Sequence, residues 1–230
     1  MWRLLILCLS CSTCSPGNRL LMAETGPPWV SCFADPSSNE WRGPKTVRTP
    51  LVASLSGQLR AYAVIEAKAV GPGECLNTVR LFVATQKSQR FQQVYVEKGS
   101  SFDGRANSLR PISWSPNGRW LLVAFGNWYY ASDAGGVSIL LYDTTKQRVI
   151  LPNLRLLVKT ALKKECSLQV GMPFSFDAFS RVHLRLADDV DEGDDEPNTH
   201  CFRGQEEWVF DPETRTMQST FSPQIQPSHQ

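Results

Sequence analysis

Ile112-Ser-Trp-Ser-Pro-Asn-Gly-Arg-Trp-Leu-Leu-Val-Ala-Phe125, a polar interval, then Val137-Ser-Ile-Leu-Leu-Tyr-Asp-Thr-Thr-Lys-Gln-Arg-Val-Ile-Leu151: this stretch decides the fold. Ser115-Pro-Asn-Gly118 is a turn, because Pro116 presets its own φ while Asn117 and Gly118 tolerate a positive one. Apolar runs rich in β-branched and aromatic residues flank it, as strands require. Asp143-Thr-Thr-Lys146 is a second tight turn between two further strands. The stretch reads as up to four short antiparallel strands in about forty residues.

Working outward, the same pattern recurs. Pro50-Leu-Val-Ala-Ser-Leu-Ser-Gly57-Gln-Leu59 aligns without gaps to Pro111-Ile-Ser-Trp-Ser-Pro-Asn-Gly118-Arg-Trp120, and Pro173-Phe-Ser-Phe-Asp-Ala-Phe-Ser180-Arg-Val182 aligns to both. The prolines are 61 and 62 residues apart. A second hairpin follows each: Val79–Thr85 with Arg90–Tyr95, then Val137–Ile150, then Glu207–Met217. The expected fold is all-β, three consecutive β-meander units over 50–110, 111–172 and 173–222, with Pro50, Pro111 and Pro173 at equivalent positions, each just before a strand. The period exceeds the ~40–45 residues of an ordinary propeller blade. The excess is expected in loops at Ala69–Asn77, Asn127–Gly136 and Asp188–Gly204, and between units at Gly99–Arg110 and Asn153–Gly171. One short helix is expected over 154–164, where Leu154, Leu157, Val158, Ala161 and Leu162 follow helical spacing and Arg155, Lys159 and Lys163 take the other face.

Ser113-Trp-Ser-Pro-Asn-Gly-Arg-Trp-Leu121 with Leu141-Tyr-Asp143 resembles one blade of a WD-like β-propeller of the TolB type. In that family a W-S-P-D-G-K-x-L-A turn precedes an I-Y-V-x-D-x-x-x-G hairpin; Asn117 stands where the family has Asp. The resemblance is clear over Ile112–Leu151 and degenerate before and after. It implies propeller-blade-like units, a partial or small β-propeller, and a non-catalytic scaffold that binds a protein or ligand. Closed propellers have 4–8 blades, so three units leave an open arc, one completed by the lead-in, or one that closes by self-association through open blade edges.

At the N-terminus, Arg3 and the apolar run Leu4–Leu9 followed by small residues read as a signal peptide over 1–23. That apolar run is far shorter than the ~20 residues that span a bilayer, and no later stretch is long enough for a transmembrane helix. Export to the periplasm or the extracellular space follows, by simple cleavage or as a lipoprotein through Cys11 or Cys14. Residues 24–49 form a lead-in with a strand-like piece, Trp29–Ala34, and 223–230 a disordered tail. Cleavage leaves Cys32, Cys75, Cys166 and Cys201, an even set that pairs in an oxidising compartment. Four cysteines allow three connectivities; Cys32–Cys75 and Cys166–Cys201 each bracket one unit and are the expected pairs.

The chemistry is sparse. Net charge is +2, so nothing in the overall balance points to nucleic acid. Seven of the 22 acidic residues crowd into Asp188–Glu196, leaving the rest of the chain at +9. Packed carboxylates need solvent or a hard cation, so Asp188, Asp189, Asp191 and Asp194 are candidate ligands of a weak calcium site; no other cofactor is expected. The EF-hand pattern fails, because Val190 stands at loop position 3 when Gly193 takes position 6. Trp128, Tyr129 and Tyr130 are a candidate ligand-contact cluster. There is no G-x-S-x-G, H-E-x-x-H, Walker loop or G-x-G-x-x-G. His183, His200 and His229 are isolated from one another in sequence. The competing readings are an exported glycoside or peptide hydrolase, which would need Asp177, Asp188 or Glu207 to converge in a cleft, and a calcium-binding surface protein.

Overall fold

The computed structural model describes residues 26–28, 30, 45–71, 74–85, 88–99, 105–129, 135–189 and 201–220. The expected signal peptide, most of the lead-in, the tail and residues 190–200 lie outside them.

The fold is all-β with one short helix. The first sheet holds β1 (Lys45–Arg48), β2 (Val52–Ala53), β3 (Arg60–Gly71), β4 (Glu74–Ala84) and β5 (Gln92–Lys98). The second holds β6 (Arg105–Trp114), β7 (Trp120–Tyr129), β8 (Gly135–Asp143) and β9 (Arg148–Ile150). Helix α1 (Leu154–Leu162) leads to the third, of β10 (Leu168–Phe176), β11 (Val182–Asp188), β12 (Glu206–Asp211) and β13 (Thr216–Ser219). All pairs are antiparallel. Strands that follow one another in sequence are neighbours in the sheets, except that β1 and β2 both pair with β3. The sheets are open and form no closed barrel.

The second sheet lies between the other two. Along β7, Leu121, Val123 and Phe125 pack with Ala61, Ala63, Ile65 and Leu81 of the first sheet. The alternate residues Trp120, Leu122 and Ala124 pack with Leu184, Trp208 and Phe210 of the third. Successive side chains on a strand point to opposite faces, so a strand covered on both sides must be apolar nearly throughout. That is why Trp120–Phe125 is an unbroken apolar run. The outer sheets have one dry face each and show plain alternation. Ala61, Ala63, Ile65 and Ala67 are buried while Tyr62, Val64 and Glu66 are not; Val182, Leu184 and Leu186 are buried while His183 and Arg185 are not.

The first turn of each sheet repeats one geometry at the aligned positions. Gly57, Gly118 and Ser180 have φ of 70°, 68° and 65°, a region that a side chain enters at a cost. Their amides donate to the carbonyls of Ser54, Ser115 and Asp177 at 2.8, 2.8 and 3.1 Å. Ser54 Oγ and Ser115 Oγ accept the amides of Leu59 and Trp120, and Asp177 Oδ1 accepts that of Arg181. The last turns of the second and third sheets match likewise. Asp143 Oδ1 accepts the amides of Thr145 and Lys146, Asp211 Oδ1 those of Glu213 and Thr214, and Gln147 and Arg215 both carry positive φ.

Several expected boundaries shift. The divisions at 110/111 and 172/173 fall inside β6 and β10, so the second and third sheets begin at Arg105 and Leu168. Residues 69–77 are mostly strand, because β3 and β4 extend almost to their connection. Residues 105–110 are strand and not connection, and β7 and β8 shorten the expected 127–136 loop. The helix starts where expected, with Asn153 Oδ1 accepting the Leu156 amide at 3.0 Å. It ends two residues early, because Lys163 takes a left-handed conformation with φ 56°. Leu154 and Val158 are buried, whereas Leu156 and Leu162 face solvent.

Candidate functional site

Strand pairing is interrupted at each of the three prolines, and the interruptions meet. Proline has no N–H to give a ladder, so it sits where pairing slips. The β6–β7 register shifts between Pro111 and Ser113, and the β10–β11 register between Gly171 and Ser175, around Pro173. In the first sheet the gap between β1 and β2 contains Pro50, and both flanking strands pair with β3. Pro111 and Pro173 therefore lie inside their first strands rather than just ahead of them, whereas Pro50 stands in the break between β1 and β2, just ahead of β2. The three prolines line one groove of about 250 Å³ with Val52, Ile112, Met172, Phe174 and Arg110. Trp114 Nε1 donates to the Val52 carbonyl at 3.2 Å and ties two of the strands together.

The lead-in is fastened beside this groove. Arg110 Nη1 donates to the Gly26 carbonyl at 3.0 Å, and Ser108 Oγ to the Pro28 carbonyl at 2.6 Å. A Cβ on Gly126 would stand 3.2 Å from Pro27, so glycine lets this segment lie flat on β7. Val30 is fully buried between the first two sheets. The other residues of the expected strand Trp29–Ala34 lie outside the described residues.

The ionisable groups gather at the turns. Arg119 reaches Asp143 through Nε at 3.4 Å and Nη2 at 3.2 Å, and its Nη1 contacts Glu213 of the third sheet. Trp120 Nε1 also donates to Glu213, at 3.3 Å. Burial works to raise the Asp143 pKa, but the Arg119 guanidinium and the two turn amides outweigh it and hold the carboxyl below its ordinary value. Asp177 is similar: burial opposes, yet the Arg181 amide and guanidinium and the Phe179 amide lower its pKa. Glu165 is also lowered, by Lys159. A general acid needs the opposite shift. The Tyr95 hydroxyl is pushed far up, by burial and then by its hydrogen bond to Glu97.

These lowered pKa values carry a sign. Asp143 and Asp177 bind protons more weakly in the folded chain than in the unfolded one, so acid favours unfolding. Their contribution is full above the ordinary value of 3.8 and is lost as pH falls through the lower folded values. The urea midpoint should therefore hold level from about pH 7 to about pH 5 and fall by about pH 3. Asp143→Asn should flatten that fall; an equally steep fall in the variant would contradict the assignment.

The sequence-expected residues are placed as follows. Trp128 is buried and Tyr129 is exposed, because neighbours on a strand face opposite ways. Arg105 Nε donates to the Tyr129 hydroxyl at 3.0 Å with its guanidinium 5.3 Å from the ring centre. Tyr130 lies outside the described residues. The trio thus offers no shared surface through Trp128. Asp188 spends its carboxylate on backbone, accepting the Cys201 amide at 2.7 Å and the Phe202 amide at 3.3 Å. Asp189 is exposed; Asp191 and Asp194 lie outside the described residues, as do His200 and His229. Among the described residues no three His, Cys, Asp or Glu gather as metal ligands.

Asp177 and Asp188 flank opposite ends of β11, roughly 20 Å apart at strand rise, and Glu207 pairs with Arg185 between them. They do not converge in a cleft. His183 Nε2 stands 3.6 Å from Asp177 Oδ2, beside an Arg181 Nη2 contact at 2.7 Å to the same oxygen.

Cys166 and Cys201 form a disulfide with Cα atoms 5.7 Å apart. Cys75 is disulfide-bonded as well; its partner, like Cys32, lies outside the described residues. Sequence reasoning missed the groove and the Arg119–Glu213 tie. The only signal for the groove was the alignment of the three prolines. Among the described residues no helix is long and apolar enough to cross a membrane. No protein-family model, no curated protein and no solved structure matches the chain.

Proposed function

We propose that this is an exported, non-catalytic scaffold built from TolB-type blade repeats, which binds a ligand or a partner's side chain in the groove between its three first strands. The carrying observation is the meeting of Pro50, Pro111 and Pro173 at one apolar concavity with Arg110 in its wall. Binding sites are mostly apolar with a few placed polar groups, and this groove has that make-up. Its 250 Å³ suits one bulky side chain or a small apolar anion. Export is supported by the Cys166–Cys201 bridge and the bonded Cys75, since such bonds persist in oxidising compartments.

Methyl-labelled protein titrated with phenylacetate tests this reading. Shifts confined to the methyl groups of Val52, Ile112 and Met172, and much weaker with the uncharged methyl ester, are the expected result. Shifts that map to another surface, or none at millimolar probe, would refute it.

A further inference from the structure

The end of the molecule that carries the first turns has an unusual surface. Leu55 is completely exposed and Phe179 is 79% exposed. They occupy the tips of equivalent turns in the first and third sheets, with Pro116 at the tip of the turn between. The three turns share one end. Leu59 Cδ1 would stand 3.2 Å from a Cβ on Gly118, which seats the first turn beside the second. Arg119 of the second sheet contacts Glu213 of the third. Packed sheets lie about 10 Å apart, so the two apolar tips stand roughly 20 Å from each other.

Cations surround them. Arg60, Arg90, Lys146, Arg148 and Arg215 all belong to turns or strand starts at this end, and none enters an ion pair among the described residues. The acids there are Asp143, Asp177, Asp211 and Glu213. Three are held by arginine, and Asp211 caps its own turn. The acid-rich run that begins at Asp188 starts at the far end of β11. The described residues of the turn end thus carry an excess of positive charge.

From this surface we infer that the turn end docks on an anionic lipid surface, with Leu55 and Phe179 entering the headgroup layer and the five cations meeting lipid phosphates. A protein partner would select a contiguous, close-packed apolar centre. Two lone protruding apolar side chains with a mildly basic surround match an interface where apolar tips are buried singly and each nearby cation is attracted to anionic headgroups. Neither tip belongs to the buried clusters of the described residues, and the Arg181 guanidinium stands 5.2 Å from the Phe179 ring centre. This surface is separate from the groove, so either assignment stands without the other.

Co-sedimentation of the whole chain with vesicles provides the test. Vesicles of phosphatidylcholine with phosphatidylglycerol should carry the protein down, pure phosphatidylcholine should not, and added salt should release it. The double variant Leu55→Ser with Phe179→Ser should bind at least about tenfold more weakly. Its melting temperature should match that of the parent chain, since both side chains are already in water. Three results would overturn the inference: no co-sedimentation with phosphatidylglycerol vesicles, equal binding by the double variant, or tip-dependent pelleting without vesicles, which would make the tips a protein contact.

Discussion

Replacing Trp120 by alanine is expected to lower the unfolding free energy by about 3–5 kcal/mol. Trp120 is 1% exposed and fills the seam between the second and third sheets. Its Nε1 donates to Glu213, its amide donates to Ser115 Oγ at 2.9 Å, and the Arg119 guanidinium lies 4.8 Å from its ring centre. The alanine variant keeps the backbone bond and loses everything the ring does. A cavity opens where two sheets meet, and close-packed surroundings collapse into it only in part. Trp120→Phe separates the contributions: most packing stays, the bond to Glu213 goes, and the expected loss is about 1 kcal/mol. Urea denaturation of the three proteins measures both. A domain of this kind has about 5–15 kcal/mol in total, so the alanine variant should sit close to unfolding. A loss under about 1 kcal/mol would mean that the seam is not packed as described.

The second large effect is expected from the disulfide. Cys166 and Cys201 are 35 residues apart in sequence. Their bridge joins the segment between α1 and β10 to the one that enters β12, and it closes across the acid-rich run. Closing a span of that length restricts the unfolded chain, and the Cys166→Ala with Cys201→Ala double variant should lose about 2–4 kcal/mol. Both residues change together because a single substitution leaves an odd thiol in the core. Asp188 should hold the Cys201 and Phe202 amides in the variant too, so the native fold should persist with a lower midpoint. Equal midpoints for the parent and the double variant would show that this span does not limit the unfolded state.

What could be read in advance was local. Ser115-Pro-Asn-Gly118 announces its turn through residue chemistry alone, and the same positions in the other sheets could be found by counting from a proline. Gly57 and Gly118 were visible as left-handed positions; Ser180 was visible only by alignment, since serine does not advertise a positive φ. The extension of β4 across Asn77 was illegible for a physical reason. Asn77 is a polar residue in a buried position, and Asn107 justifies it by donating its amide to Asn77 Oδ1 at 2.8 Å. That partner is 30 residues away. The groove and the Arg119–Glu213 tie join residues that are about sixty or more apart, and no period-two or period-3.6 pattern carries such information. The apolar run of β7 was visible, but being covered on both faces is a relation to two other sheets.

The position of the second sheet also sets the order in which the chain can be completed during synthesis. Each sheet pairs strands that are close in sequence, so its hydrogen bonds can form as the polypeptide emerges, amino end first. The first two sheets can then bury the face of β7 that carries Leu121, Val123 and Phe125. Its other face, with Trp120, Leu122, Ile139 and Leu141, stays wet until residues 166–217 arrive. A nascent chain that ends before Leu168 is therefore sticky over half of its central sheet and open to chaperones and proteases. The third sheet therefore decides whether the two made before it are covered, and a chain interrupted ahead of Leu168 should be lost even though its first two sheets are complete.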